Sequence, residues 1–152
     1  MEPIRILVDA DACPVKEEIY RVAQRRKVPV MVVSNSPFRV PIDPLVERVV
    51  VSGGFDAADD WIAGHAHARA VVVTADILLA DRCLKAGATV IGMNGRPFTH
   101  GSIGGAIATR AIMADLRAGG DAIGGPAPFA KADRSRFLQA LDEVLVRLER
   151  KR

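Results

Sequence analysis

Short apolar runs alternate with segments of helical periodicity through the first two thirds of the chain. Five apolar runs are rich in β-branched residues, which is typical of strands buried on both faces. They lie at residues 4–8, 28–33, 46–51, 70–74 and 90–91. Three segments between them carry apolar residues three and four positions apart, as amphipathic helices do. They lie at residues 14–26, 55–68 and 77–86. This alternation predicts an α/β fold with a parallel sheet, right-handed crossovers and helices on both faces.

The pattern changes after the fifth run. A polar loop is predicted at 92–102, a helix at 103–117 and a glycine- and proline-rich stretch at 119–129. A last helix is expected to open at Asp133 as its N-cap and to carry one apolar stripe. The stripe consists of Phe137, Leu138, Leu141, Val144, Leu145 and Leu148. We interpret it as packing against the body of the protein, and the alternative is the seam of a homodimer through this C-terminal helix.

Length and composition fit one domain over residues 1–152, with a C-terminal helical extension over about 103–152. Apolar residues make up 49% of the chain, and no apolar run reaches the roughly 18 residues of a membrane span, so no membrane partner is expected. The first residues lack the pattern of a signal peptide, and the two cysteines lack the spacing of a zinc site. These features favour a cytoplasmic protein with reduced thiols.

The formal net charge of +3 is concentrated near the C-terminal end. Residues 131–152 hold 7 of the 21 basic and 4 of the 18 acidic side chains, so 14 of each remain and the rest of the chain is balanced. A basic segment of this kind can attract phosphates, although a solvated helix face is the simpler and favoured explanation.

Aspartates follow several of the predicted strands. Asp9 and Asp11 come directly after the first strand, and Asp76 comes two residues after the fourth. Asp56 and Asp59 lie in the first turns of the helix after the third strand. Ligands of an open parallel sheet bind outside the carboxyl ends of its strands, so all of these carboxylates are predicted at one edge. Helix capping is the simpler explanation of Asp11, Asp56 and Asp76 taken singly.

Converging carboxylates raise one another's pKa unless a cation is present. Mg²⁺ or Mn²⁺ suits such a site, because these hard ions take oxygen ligands. Successive helical residues point about 100° apart, which distinguishes Asp59 from Asp60. Asp59 lies three residues before Ile62 on the inward side and is the preferred ligand. Asp60 is left to solvent or to a supporting role.

Four polar residues near the same predicted edge are candidates for holding phosphate groups of a substrate. They are Lys16, Arg39, Asn94 and Arg96. An ordinary surface position is the simpler explanation of each.

Two other chemistries fit part of the pattern. Asp9 and Asp11 after an apolar strand resemble the opening motif of haloacid dehalogenase-type phosphatases, in which the first aspartate is the nucleophile. Lys85 could serve as that family's later lysine, but the acidic pair required after it is missing. Cys13 precedes a helix start, where the helix dipole lowers a thiol pKa. No partner base accompanies it, so a buried or capping cysteine is favoured.

Six motifs run along nearly the whole chain. They are VDADACP at 8–14, GFDAADDWI at 54–62, VTAD at 73–76, NGRPFT at 94–99, GPAPF at 125–129 and DR at 133–134. Together they resemble the YaiI/YqxD-like family of uncharacterised bacterial proteins, which is related to PIN and NYN-type nuclease domains.

The resemblance implies a PIN-like three-layer sandwich, with a five-stranded parallel sheet in the order 3-2-1-4-5 and an acidic site that binds Mg²⁺ or Mn²⁺. By the same resemblance, Asp9, Asp59 and Asp76 match the catalytic acidic positions, with Asp11 and Asp56 as additional metal ligands. The function expected is a metal-dependent nuclease or phosphodiesterase that acts on RNA or DNA, with RNA preferred as the partner. A non-catalytic nucleic-acid or nucleotide-binding module is the alternative, and a haloacid dehalogenase-type phosphatase is a second one.

Overall fold

The strands form a single sheet in the computed structural model, which describes residues 2–11, 13–54, 56–118 and 129–151. In these residues the sheet has six strands in the order β3-β2-β1-β4-β5-β6. They are β1 Arg5–Asp9, β2 Val30–Ser34, β3 Val46–Val50, β4 Ala70–Val73, β5 Thr89–Ile91 and β6 Pro97–Phe98. The first five strands are parallel, so the predicted order 3-2-1-4-5 is confirmed for them.

The sixth strand corrects the prediction of a purely parallel, five-stranded sheet. β6 pairs antiparallel with β5, in a segment predicted to be loop. A tight turn explains it, because the amide of Gly92 donates to the carbonyl of Arg96 at 2.8 Å and Gly95 adopts a φ of +84°. A left-handed backbone is readily available to glycine, so the chain reverses there and returns beside β5.

The helices cover both faces of this sheet. They are α1 Lys16–Arg26, α2 Ala57–His65, α3 Ile77–Lys85, α4 His100–Ala118 and α5 Lys131–Arg150. α4 begins three residues before the predicted start, since Thr99 and Ser102 cap each other reciprocally, each amide donating to the other hydroxyl at 3.1 to 3.2 Å. α5 also begins early. Asp133 is not its N-cap but lies in its first turn, where the carboxylate accepts from the amide of Ala130 at 2.8 Å.

Alternate residues of each strand face opposite layers. Ile6 and Val32 point into a core closed by α1 and α5, whereas Leu7 and Val72 point into a core closed by α2, α3 and α4. This arrangement follows from the period of two in a strand and explains why the strands read as continuous apolar runs. The result is the expected three-layer sandwich.

The apolar stripe of α5 belongs to the first of these cores. Phe137, Leu141 and Leu145 are fully buried, which confirms that the stripe packs within the chain. Arg25 and Arg26 of α1 both bind the carboxylate of Asp142 at 2.9 Å and tie the two helices together. A homodimer through the C-terminal helix stays a prediction.

The turn before β6 also contacts α5. A Cβ atom added at Gly95 would lie 2.7 Å from backbone atoms of Arg136 and Phe137, so the turn packs directly on the helix backbone. The glycine- and proline-rich stretch lies outside the described residues at 119–128. Within the described residues, no helix is both long and apolar enough to cross a membrane.

Candidate functional site

An open cleft of about 480 Å³ lies at the carboxyl edge of the sheet, where the ends of β1 and β2 meet α2, α3 and α4. Its lining consists of Asp9, Asp11, Asn35, Asp56, Ala58, Asp59, Asp76, Leu78, Leu79, Arg82 and Arg110. All five aspartates predicted as ligands therefore line one cleft. Their convergence follows from the parallel sheet, because strands of one direction end at one edge.

Asp9 lies at the centre of the parallel strands. It is the last residue of β1, whose neighbours in the sheet are β2 and β4. Its Oδ2 accepts a hydrogen bond from the hydroxyl of Thr74 at 2.9 Å, and Thr74 itself is fully buried at the end of β4. The same hydroxyl oxygen accepts from the amide of Asp76 at 2.9 Å. One buried threonine thus couples the two aspartates that the sequence placed on adjacent strands.

Asp76 is the N-cap of α3. Its Oδ1 accepts from the amides of Leu78 at 2.9 Å and Leu79 at 3.2 Å, so the capping explanation considered for this residue is confirmed. Capping does not remove it from the cleft, whose lining includes it. The cap uses only one oxygen of the carboxylate. The other oxygen, Oδ2, accepts no hydrogen bond from any residue that the structure describes.

This part of the cleft is completed by two further residues, one that follows β1 and one that follows β2. Asp11 accepts from the hydroxyl of Ser34 at 3.0 Å, which fixes its carboxylate beside the end of β2. Asn35 accepts from the amide of Ala58 at 3.2 Å and so joins the end of β2 to the first turn of α2. Asn35 was not among the predicted site residues, although its position directly after a buried strand could have identified it.

The first turn of α2 carries the remaining acidic groups. Asp59 lines the cleft together with Asp56, as helix geometry predicted. Asp60 does not line it. Its carboxylate accepts instead from the guanidinium of Arg82 at 2.9 Å, in an exposed ion pair between α2 and α3. The assignment of Asp60 to a supporting position is consistent with this contact.

Two carboxylates of the cleft have a raised pKa. The pKa of Asp9 is raised from an ordinary value of 3.8 to about 6, chiefly by burial and with smaller contributions from the charges of Asp59, Asp11 and Asp76, while the Thr74 hydrogen bond opposes the shift. Burial also raises the pKa of Asp59, with the charges of Asp76 and Asp56 adding to the effect. Negative charge is therefore crowded here beyond what the protein's own cations balance.

The donor set fits a hard divalent cation. The candidate ligands are carboxylate oxygens, with the side-chain amide of Asn35 nearby, and neither sulfur nor imidazole lines the described part of the cleft. In the residues described, no group of three or more His, Cys, Asp or Glu side chains is close enough to hold a metal ion together. The cleft thus has suitable donors that have not converged on a single point.

The four residues predicted to hold phosphates do not lie in this cleft. Lys16 is on α1, beyond the opposite face of the sheet, with its ammonium 5.5 Å from the ring centre of Phe38. Arg39 is exposed in the segment after β2. Asn94 and Arg96 form the turn before β6, where the Asn94 side chain accepts from the Arg96 amide at 3.0 Å. The structure brings none of them to the acidic residues.

Two arginines that sequence reasoning missed lie there instead. Arg82 comes from α3, six residues after Asp76, and Arg110 comes from the middle of α4. The helical periodicity of α3 could have predicted that Arg82 lies near the cleft. No signal in the sequence could have placed Arg110, because its position depends on how α4 packs on α3.

The two alternative chemistries gain no support from the geometry. Lys85, required to approach the first aspartate in the phosphatase interpretation, pairs with Asp81 at 2.9 Å and does not line the cleft. Cys13 is half-buried, and burial raises the pKa of its thiol, which gives no support to an activated nucleophile. Cys83 is fully buried, and burial raises its pKa to about 11.

Comparison with known proteins places the chain among relatives of similar length. The profile of a family described as "Uncharacterized BCR, YaiI/YqxD family" matches residues 7–147. The chain belongs to this family. A UPF0178 protein of Sphingopyxis alaskensis is 74% identical over 146 residues, which are 95% of each chain. The YaiI/YqxD resemblance predicted from the six motifs is therefore confirmed.

Other members of the family are similar over almost their whole length. The UPF0178 protein bll3966 of Bradyrhizobium diazoefficiens is 60% identical over 150 residues, covering 99% of this chain and 90% of the relative. A UPF0178 protein of Brucella ovis is also 60% identical over 150 residues, covering 98% and 93%. No solved structure matches the chain.

Proposed function

We propose that this protein is a metal-dependent phosphodiesterase of PIN-like type that hydrolyses nucleic acid, RNA rather than DNA. Asp9, Asp59 and Asp76 are the proposed catalytic ligands of Mg²⁺ or Mn²⁺, and Asp11 and Asp56 are additional ligands. One observation carries the proposal: five aspartates from β1, α2 and α3 line a single cleft at the carboxyl edge of a parallel sheet.

Electrostatics supports a cation at this site. The pKa of Asp9 is raised to about 6 by burial and by three neighbouring carboxylates, so its ionised form is destabilised as long as the charges stand alone. A divalent cation would offset that repulsion and stabilise the ionised carboxylates. If the five aspartates had only structural roles, nothing would require them to line the same solvent-filled cleft, where their charges repel one another.

The chemistry that such an ion supplies when bound is polarisation of the phosphodiester and activation of a water molecule for attack. The chain's own residues orient the carboxylates. The Thr74 hydroxyl fixes one oxygen of Asp9, the Ser34 hydroxyl fixes Asp11, and the first turn of α3 fixes Asp76. These contacts limit the rotation of the ligands, and the other oxygen of each carboxylate accepts no hydrogen bond from the residues that the structure describes.

A non-catalytic nucleic-acid or nucleotide-binding module of the same fold is the second candidate. The observation that favours it is the spacing of the carboxylates, because no three of them in the described residues are close enough to hold one ion. A module that had lost turnover could retain the cleft without the convergence that catalysis requires.

Calorimetric titration with Mn²⁺, together with cleavage of end-labelled single-stranded RNA and DNA, tests the proposal. We expect the wild-type chain to bind Mn²⁺ and to cleave RNA, and the double variant Asp9→Asn with Asp76→Asn to lose both properties. Asparagine retains the hydrogen bond from Thr74 and the cap of α3, so the fold should survive both substitutions.

Asp81→Asn is the matched control. Asp81 lies on the same helix as the cap but pairs with Lys85 outside the cleft, so the substitution should leave metal binding and cleavage unchanged. Mn²⁺ binding without cleavage of either nucleic acid would contradict the enzyme and favour the binding module. Absence of Mn²⁺ binding in the wild type would contradict the metal-dependent enzyme, and absence of nucleic-acid binding as well would contradict both candidates.

A further inference from the structure

The cleft contains two positive charges beside its five carboxylates. Arg82 and Arg110 belong to α3 and α4, two helices that pack side by side over the same face of the sheet. The acidic groups come from β1, α2 and the start of α3 instead. Arg82 and Arg110 therefore reach the cleft from two neighbouring helices on one face of the sheet.

Arg82 is held in place by Asp60. The guanidinium donates to the carboxylate of Asp60 at 2.9 Å, and the two side chains are 47% and 66% exposed. Exposed ion pairs of this kind contribute little to stability. The positive charge is also close enough to Asp59 to lower its pKa against the effect of burial. The pair therefore orients a guanidinium at the margin of the acidic residues.

Arg110 differs from Arg82 in having no such partner. Within the described part of the chain it forms no ion pair, and its side chain is exposed to the cleft. A guanidinium presents five N–H donors in a planar arrangement that matches phosphate oxygens. An arginine beside a cluster of aspartates that it does not neutralise is available for an anionic ligand.

The other residues that line the cleft provide few contacts for a nucleobase. None of the described lining residues is aromatic, and the apolar ones are Ala58, Leu78 and Leu79. Proteins that bind single strands through their bases usually stack them on aromatic rings. Contacts to phosphate oxygens fix position without sequence information. The volume of about 480 Å³ is that of a site for small molecules, which suits single nucleotides of one strand rather than a duplex.

We infer that Arg82 and Arg110 bind the phosphates next to the one at the acidic residues, so that the substrate is single-stranded RNA held by its backbone without base selection. Asp60 acts as a positioning residue for Arg82. The inference rests on the proposed function for the identity of the substrate. It adds which residues bind the strand and which feature of the strand they recognise.

The experiment measures the affinity of a fluorescein-labelled 12-nucleotide oligouridine by anisotropy at several salt concentrations, with Mn²⁺ held constant. The proteins are the wild type, Arg82→Gln, Arg110→Gln and the double variant. Arg21→Gln, on the exposed side of α1 across the sheet, is the matched control. Anisotropy is read within a time in which gel analysis of the same sample finds the oligonucleotide intact, and calorimetry shows whether Mn²⁺ binding is unchanged in the variants.

We expect each single variant to bind more weakly and to lower the slope of log K against log salt by about 0.7, which is the value for one phosphate contact to a single strand. The double variant should lower it by about 1.4. The control should match the wild type. Oligoadenosine and oligocytidine of the same length should bind the wild type within a few-fold of oligouridine.

Asp60→Asn separates positioning from a merely structural role. It should weaken binding in the wild-type background and have no further effect in the Arg82→Gln background, because it acts only through that guanidinium. An equal effect in both backgrounds would overturn the positioning role.

The remaining outcomes distinguish the inference from the proposed function. Unchanged affinity and slope in the double variant, or no binding of RNA by the wild type in the presence of Mn²⁺, would overturn the inference. A strong preference for one base would overturn recognition by the backbone. Binding that depends on both arginines without any cleavage would overturn the nuclease but support the inference.

Discussion

Two aspartates on opposite faces of the sheet have their pKa values shifted in opposite directions. The pKa of Asp9, in the acidic cleft, is raised to about 6 by burial and by like charges. The pKa of Asp142, on α5, is lowered to about 2, chiefly by hydrogen bonds from Arg26 and Arg25. The same side chain therefore destabilises the fold on one side of the sheet and stabilises it on the other.

The difference shows where the protein keeps its unbalanced charge. The α1 and α5 side is a closed layer in which helices are tied by ion pairs and a glycine turn packs on the helix backbone. The cleft side collects carboxylates that repel one another at neutral pH. Charge that is unfavourable for folding persists where a ligand can use it, which is the usual mark of a functional site.

The largest effect should come from one methyl group on the packed side. Gly95→Ala would place a Cβ atom 2.7 Å from the backbone of α5, at a residue whose φ is +84°. Both the overlap and the left-handed backbone disfavour alanine, so we expect a loss of about 3 kcal/mol in the free energy of unfolding. Urea denaturation followed by circular dichroism measures it.

Gly105→Ala is the control for this substitution. Gly105 lies within α4 and has open space around the position of a Cβ atom. Alanine favours a helix more than glycine does, so the variant should be neutral or more stable by up to about 1 kcal/mol. If both variants lose the same stability, the close contact between the turn and α5 is not what makes Gly95 sensitive.

An intermediate effect, of opposite sign, is expected in the cleft. Asp9→Asn should raise the free energy of unfolding by about 2 kcal/mol at pH 8, after allowance for partial exposure of the carboxyl. Asp9 has a higher pKa in the folded than in the unfolded chain, so its unfavourable contribution is absent below pH 4 and complete above about pH 6. The gain should therefore disappear as the pH falls from 6 to 4. Parallel urea titrations at pH 4, 6 and 8 without divalent cations measure the gain. A gain in the free energy of unfolding that does not change with pH would contradict this origin.

The smallest effect should be found at the ion pair between α1 and α5. Asp142→Asn should lower the free energy of unfolding by about 1 kcal/mol at pH 7, since the side chain is about one quarter exposed and its pairs are partly screened. The folded pKa is below the unfolded one, so the contribution of Asp142 is complete above pH 4 and is lost as the pH falls towards 2. Thermal unfolding at pH 7 and pH 3 checks the direction, and a difference that grows on acidification would be inconsistent with it.

Much of the acidic cleft could be predicted because it depends on topology alone. Asp9, Asp11 and Asp76 follow strands of one direction, so any parallel arrangement brings them to one edge. Asp59 required only the angle between successive helical residues. The burial of the α5 stripe follows from its helical period, whereas the order of the first five strands was implied by the family resemblance and not by any pattern in the strands themselves.

Features that depend on how whole elements pack could not be predicted. Arg110 reaches the cleft only because α4 lies against α3 in one rotation about its axis. Lys16 was expected near the site because it follows β1 closely, but α1 crosses to the other face of the sheet. β6 has two residues, one of them proline, and so presents no alternating pattern.

The late position of α5 in the chain has a consequence for synthesis. Within the described residues, the core of the layer that carries the cleft draws on nothing later than Ile107, so this layer can form once α4 has emerged. The opposite face of the sheet, including Ile6 and Val32, is covered early only by α1 and is completed when Phe137 to Leu148 have been made. Because chains fold as they are synthesised, a nascent molecule that ends before α5 has one covered face and one partly open apolar face. The interval between the synthesis of α4 and of α5 is therefore a stage at which apolar surface of this sheet is still exposed.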